Sequence, residues 1–371
     1  MKIAYFIGTF KKEDGVTSVL LKMSEAAKNA GHENIIITGY VEDRSLSPVE
    51  VIEVPAVTFP LYKDYKLPIP GQKGFALKLD EFKPDIIHVH SPDPIAWAAL
   101  KYAKNKRIPI IATYHTDFIK YLPYYHLSFL KPFVWAMFRK LYNQMDLVTT
   151  PSSVIAKDLT DHGIKNVLSL PWGTNLQIFN PEARSEEWRK KILKNGEKHI
   201  VFSASRITWE KDLKTLAGAY NLLKEKNDDF EMVIAGDGPA LGDLKKLMPG
   251  AIFLGHLDLK ELAQSYASSD IFLFPSATET FGNVTLEAMA SGAVPVVANS
   301  GGSKALVKNK YNGLICEPYN AEDFYLKTLS LLSAPKELNT LRENGLTFSK
   351  EYSWERVFIK VFGIYKKLIN R

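Results

Sequence analysis

The sequence predicts an α/β protein of two doubly wound, Rossmann-like domains, and three observations carry that expectation. Short apolar, β-rich runs alternate with amphipathic helical stretches along almost the whole chain. The alternation breaks once near the middle and then restarts. The length, 371 residues, exceeds what one compact core usually serves.

The first series of strands is "KIAYFIG", "NIIITGY", "DIIHVHS", "IPIIATYHT" and "DLVTTPS". Between them, "VTSVLLKMSEAAKNAG" and "PIAWAALKYAKNK" read as helices, which makes βαβ units and a parallel sheet covered on both faces. "TNLQIFNPEARSEEWRKKILKNGEK" is polar and lacks strand periodicity, so a linker is placed near 175–196. The second series follows it: "HIVFSAS", "EMVIAGDG", "AIFLGH", "IFLFPS", "VPVVANS" and "GLICEP". The domains are therefore expected at 1–176 and 177–354. A last helix at about 355–371 follows a long gap and can pack on either domain, the first included. Two such domains in tandem are expected to face each other across a cleft. Ligands would then meet the loops at the carboxyl ends of the strands.

Composition sets the broad class. With 46% hydrophobic and 24% charged residues the chain is an ordinary globular protein. Its one cysteine, Cys316, leaves no intramolecular disulfide and fits a reducing compartment. The N-terminal apolar run is too short for a secretory signal, and no run approaches a membrane span. A cytoplasmic, non-integral protein is the expectation. The net charge of +6 favours anionic partners such as phosphates, nucleic acid or an anionic bilayer, and serves solubility equally well.

Several chemistries lack their motifs. "GDGPAL" has Gly236 and Gly238 but Leu241 in place of a third glycine, so the dinucleotide fingerprint fails. Neither a Walker-type phosphate loop nor a G-x-S-x-G elbow occurs. No H-E-x-x-H and no D-x-D is present. His88 and His90 share one strand face without a nearby carboxylate or third histidine in sequence. Packing or a hydrogen-bonded position suits them better than metal ligation.

A phosphate-friendly site remains. Arg206 and Lys211 in "SASRITWEKDL" follow directly on a strand, where a planar fork and a point charge together suit a diphosphate; two surface cations at a helix start are the alternative. In "ETFGNVTLEAMASG" two acids, Glu279 and Glu287, flank a helix start. Asn283 reads as the cap of that helix and Gly292 as its stop. Its positive end can hold phosphate.

The set "SRITWEKD", "VIAGDGP", "IFLFPSATETFGNVTLEAMASGAVPVV" and "NGLICEP", in that order, resembles the retaining, GT-B-type glycosyltransferases of family 4. "SLPWGTNLQIFNP" and "YSWERV" extend the resemblance over nearly the whole chain. It implies that Glu279 and Glu287 are the family's E-x7-E pair, the first on the donor sugar and the second on the ribose. It further implies that Arg206 and Lys211 bind and stabilise the leaving diphosphate, and that Phe281, Gly282, Asn283 and Val284 border the donor. Gly15 corresponds to the glycine that lets the backbone approach the donor, and His115 to a histidine at the catalytic centre. Two departures stand out: Asp14 where Gly or Asn is common, and Asp212 where Gly often follows the lysine.

The implied function is transfer of a hexose from a UDP- or GDP-sugar to a hydroxyl by a front-face mechanism, with no metal and no cofactor. "GVTSV" and "TYHTDF" are most similar to lipid-glycosylating members. Residues 119–142 are rich in aromatics and carry Lys120, Lys131, Arg139 and Lys140, which suits peripheral contact with an anionic inner membrane face. Against this, Phe133, Met137 and Leu141 are spaced like a core-facing stripe. A soluble sugar or glycan acceptor is the alternative within the class. A nucleotide-sugar epimerase or a binding module is the alternative outside it. No nucleic-acid partner is expected.

Overall fold

The computed structural model describes residues 1–11, 15–58, 66–69, 72–115, 117, 119, 122–125, 127–193, 199–226 and 229–371. Asp14 and Lys120 lie outside them. Two units divide the chain: one holds Met1–Pro151, Ile155–Leu170 and Val357–Arg371, the other Ser152–Val154 and Pro171–Arg356.

Among the described residues, the first unit's sheet has seven strands: β1 (Lys2–Ile7), β2 (Glu33–Thr38), β3 (Val51–Glu53), β6 (Ile86–Val89), β7 (Ile110–Thr113), β8 (Leu147–Thr150) and β9 (Val167–Ser169). Of these, β1, β2, β6, β7 and β8 are continuous apolar runs that are largely buried, while β3 and β9 at its two edges are partly exposed. All pairings are parallel, in the order β3-β2-β1-β6-β7-β8-β9. β4 (Ala56–Thr58) and β5 (Lys66–Pro68) form a separate antiparallel pair. The sequence reading passed over β3, β4, β5 and β9, because each is short and partly exposed and so leaves no continuous apolar run. The C-terminal helix Trp354–Ile369 buries Val357, Phe358, Val361, Phe362, Tyr365 and Leu368, an i, i+4 stripe, and belongs to this unit from Val357 onward.

The second unit repeats the plan. Its strands are β10 (His199–Ala204), β11 (Phe230–Ala235), β12 (Ile252–Gly255), β13 (Ile271–Phe274), β14 (Val294–Ala298) and β15 (Leu314–Cys316), parallel in the order β12-β11-β10-β13-β14-β15. The segment read as a linker is in fact folded onto this unit. It carries the helix Glu186–Leu193 and buries Phe179 and Ile192. Arg189 locks it down, donating to the Ser268 carbonyl at 2.7 Å and pairing with Asp270 at 3.0 Å. Sparse apolar residues and a run of charges hid this helix, since only one face of it touches the core.

A buried polar cluster sits under the first unit's C-terminal helix. His88 Nδ1 lies 2.5 Å from the Tyr365 hydroxyl and Nε2 lies 2.7 Å from Thr113 Oγ1. His90 Nδ1 lies 2.7 Å from His115 Nε2. The third histidine that the local sequence lacked is thus supplied by β7, which pairs with β6. Burial removes the hydration an imidazolium needs. It pushes His90 down to about 3 and lowers His88 and His115 well below the ordinary value, with neighbouring histidines adding to both. In the unfolded chain each titrates near 6.5, so unfolding takes up protons only below that pH. Stability should therefore be flat above about pH 6.5 and fall below it, each ring adding a slope approaching about 1.4 kcal/mol per pH unit. Urea midpoints measured from pH 7.5 to 5.0 test this, and an unchanged midpoint would contradict neutral burial.

Candidate active site

β10 has β11 on one side and β13 on the other, so the loops leaving β10 and β13 border the switch point of the second sheet. The β10 loop carries Arg206, exposed, and Lys211 at the end of a short turn, Trp209–Lys211. The β13 loop carries Glu279 and Phe281. The two loops meet: Lys211 Nζ donates to Glu279 Oε1 at 2.5 Å, with the side chains only 17% and 18% exposed. Ser276 Oγ donates to the same oxygen at 3.2 Å, and Thr278 Oγ1 donates to the Glu210 carbonyl at 3.1 Å. A charge-assisted bond of this kind contributes about 1.5–3 kcal/mol.

Asp212 explains its own departure from glycine. Its φ is +56°, the left-handed region that Asp tolerates better than most residues. Its carboxylate accepts from the Thr215 N–H at 3.4 Å, at the start of the helix Leu213–Lys226. Burial raises its pKa, and the hydrogen bonds from Thr215 and the Tyr319 backbone act against that.

The helix Asn283–Ser291 begins where the β13 loop ends. The expectation that Asn283 caps it is corrected: Gly282 is the N-cap, and Asn283 is the first helical residue. Gly282 has φ +89°, and a Cβ there would lie 2.4 Å from Ser303 Oγ, so the position excludes any capping side chain. Helix geometry leaves the first-turn N–H groups, those of Asn283 and Val284 among them, without intrahelical partners, at the positive end of the dipole. Gly292 closes the helix as expected, with φ +92°. Phe281 is buried, its ring 5.8 Å from that of Trp172.

Glu287 lies one turn into the helix. The Tyr266 hydroxyl faces it: burial first, then the Glu287 charge, pushes the Tyr266 phenol up. The sequence reading missed Tyr266, whose local pattern is that of any core tyrosine. It also missed Gly302, whose N–H donates to the Glu279 carbonyl at 2.5 Å. A Cβ on Gly302 would lie 2.3 Å from Phe281 Cα, so this glycine lets the chain pass directly behind the acid. The paired glycines after a strand, in "ANSGGSKAL", were the available signal.

Gly15 and His115 belong to the first unit. Gly15 opens the helix Gly15–Asn29 and is exposed, with open space where a Cβ would stand. His115 follows β7 and is buried against His90. Among the described residues, no cluster of three or more His, Cys, Asp or Glu is arranged to hold a metal ion.

Two family models match the chain, "Glycosyltransferase Family 4" over residues 14–177 and "Glycosyl transferases group 1" over residues 184–348. The chain is 34% identical over 323 residues to a GDP-mannose-dependent alpha-mannosyltransferase of Corynebacterium glutamicum, covering 85% of this chain and 77% of that one. It is 30% identical over 381 residues to an alpha-monoglucosyldiacylglycerol synthase of Streptococcus pneumoniae, covering 96% and 84%. Its fold is similar to that of Anabaena HepE, solved with UDP and glucose, with a TM-score of 0.76 over 99% of both chains at 16% identity. One model on each half, and relatives matched across most of both lengths, lead to one conclusion: the chain belongs to the family 4 glycosyltransferases and has their GT-B fold.

Proposed function

We propose that the protein moves a hexose, with retention of configuration, from a UDP- or GDP-sugar to the hydroxyl of a membrane lipid. The observation that carries the donor half is the Lys211–Glu279 pair at the switch point, beside the first turn of the helix Asn283–Ser291. In this reading Arg206 and Lys211 hold the diphosphate, together with backbone N–H groups at Gly282, Asn283 and Val284. Glu279 accepts hydroxyls of the sugar, and Glu287, faced by Tyr266, accepts those of the ribose. Gly15 is assigned the close backbone approach to the donor, and His115 a place among the catalytic residues, as the family resemblance implies.

Two cations and a helix end meet the charge that develops on the leaving diphosphate, so the reaction is read as metal-independent. The bond from the sugar's anomeric carbon to the phosphate oxygen breaks, and the acceptor oxygen bonds to that carbon on the same face. The acceptor's proton passes to the departing phosphate. Glu279 is already engaged by Lys211 and Ser276, which favours a binding role over that of a nucleophile.

The lipid acceptor rests on two supports. One relative is named for a glucosyldiacylglycerol product. The other is the helix Lys131–Tyr142: Trp135, Phe138, Leu141 and Tyr142 face the core, while Phe133 is 69% exposed and Phe129, just before the helix, 74%. Phe133 is therefore not part of the core stripe expected for it, because the buried face is set by Trp135 and Phe138 instead. Exposed aromatics beside Lys131, Arg139 and Lys140 suit the surface of an anionic bilayer, here the cytoplasmic face of the cell membrane. No helix among the described residues is long and apolar enough to cross a membrane.

Two measurements test the reading. With UDP- and GDP-hexoses, nucleoside diphosphate should be released only when acceptor is present. Release should be faster from anionic vesicles carrying diacylglycerol, and Phe129→Ser with Phe133→Ser should lose that acceleration. Release without acceptor would favour an epimerase or hydrolase, equal rates with soluble sugars a glycan acceptor, and no turnover of any donor a binding module. In kinetics, Glu279→Ala should lower kcat about 100-fold or more, while Glu287→Ala should raise the donor KM about tenfold with kcat little changed. Small, equal effects from both would remove the assignment of the two acids.

A further inference from the structure

β7 ends at Thr113, and Tyr114 is the next residue still held by the sheet, its N–H donating to the Thr149 carbonyl at 2.8 Å. Beyond it the chain carries His115 and Asp117, and all three side chains are buried. The Tyr114 side chain reaches forward past His115 in sequence: its hydroxyl donates to Asp117 Oδ1 at 3.1 Å. His115 therefore lies within the short stretch whose two ends this hydrogen bond ties together.

The phenol is held for that task by its own ring. Two rings of the helix Lys131–Tyr142 meet it edge-on, Phe138 at 5.9 Å and Tyr142 at 6.2 Å between centroids. Such T-shaped pairs favour one ring orientation, so the core sets the direction in which the hydroxyl points. The hydroxyl also keeps its proton to donate: burial first, then the Asp117 charge, pushes it well above the ordinary phenol range. A bond from a hydroxyl to a carboxylate out of water is among the stronger hydrogen bonds, and deleting its donor is costly. The His115 ring has a separate support, since His90 Nδ1 lies 2.7 Å from its Nε2.

We propose that Tyr114 is a positioning residue for the transfer: its hydroxyl, through Asp117, fixes the stretch of chain that carries His115. The role of His115 in the reaction rests on the functional reading above; the clamp itself does not. Tyr114 acts only through the backbone it ties. A tyrosine that served packing alone would not need its hydroxyl, because phenylalanine can make the same ring contacts with Phe138 and Tyr142.

Tyr114→Phe keeps those ring contacts and deletes only the hydroxyl. It should lower kcat about tenfold, the scale of one hydrogen bond, with the donor KM unchanged. Asp117→Ala should lower kcat at least as much, and adding Tyr114→Phe to it should cost nothing more, because the two groups act as one. Effects that multiply in the double variant would overturn the proposal, as would a wild-type kcat in Tyr114→Phe or a loss confined to the donor KM. If Asp117→Ala fails to fold, Asp117→Asn takes its place. Its neutral acceptor weakens the bond, so the Tyr114→Phe penalty should shrink there, and an undiminished penalty would overturn the clamp. Histidine-selective 15N labelling, read by two-bond 1H–15N correlation, gives a readout independent of turnover. In Tyr114→Phe the His115 signals, assigned by their loss in His115→Asn, should shift, while those of His88, held by Tyr365 and Thr113, stay in place. Unmoved His115 signals would overturn the proposal. If the wild type turns over no donor, the functional reading fails and these spectra alone decide whether the clamp exists.

Discussion

The Lys211–Glu279 ion pair is the constraint on which the second unit's site depends. It joins the loop after β10 to the loop after β13 across the switch point of the sheet. Both side chains are mostly withdrawn from water, so the pair is screened less than a surface salt bridge and fixes loop geometry more firmly. A bound diphosphate would compete with Glu279 for the same ammonium group. The acid, released in part, would then be oriented toward the sugar. On the proposed reading, this one contact would brace the two loops and, with donor bound, supply two separate binding groups.

The backbone behind that pair is crowded, and the crowding positions the chemistry. Gly302 passes so close to Phe281 that no side chain fits, and its N–H holds the Glu279 carbonyl. Gly282 turns left-handed against Ser303 and delivers the chain into the helix without a capping side chain. Phe281 drives its ring into the core beside Trp172. Glu279 and the first-turn N–H groups are thus carried on backbone set by packing. The first unit shows the same economy: parallel pairing of β6 with β7 brings His90 and His115 together, and Tyr365 of the last helix pins their neighbour His88.

Much of this was legible in the sequence, and the reasons differ by element. Strands buried on both faces write themselves as continuous apolar runs, so β1, β2, β6, β7, β8 and all six strands of the second unit could be read. The partly exposed β3 and β9 leave no such run, whereas β15, equally short, is mostly buried and does. The helix Glu186–Leu193 was mistaken for linker because its core contact is one narrow face amid charges. Asn283 was read as a cap because capping preference is local, whereas the close approach of Ser303 that forces Gly282 into the role comes from a distant segment. The same limit hid Tyr266 and the histidine contact: His90 and His115 are 25 residues apart, and only strand register makes them neighbours. Residue types at a site are local information, but which of them touch is set by topology.

The most direct test of the account is the binding of UDP and GDP, measured by calorimetry for the wild type, Lys211→Met, Glu279→Gln and the double variant. If Lys211 is the phosphate-binding cation and Glu279 its resident competitor, Lys211→Met weakens the diphosphate at least about tenfold. Glu279→Gln should leave binding unchanged or tighten it, because the diphosphate carries no sugar for residue 279 to hold. Glu279→Gln weakening the diphosphate as much as Lys211→Met would contradict the account.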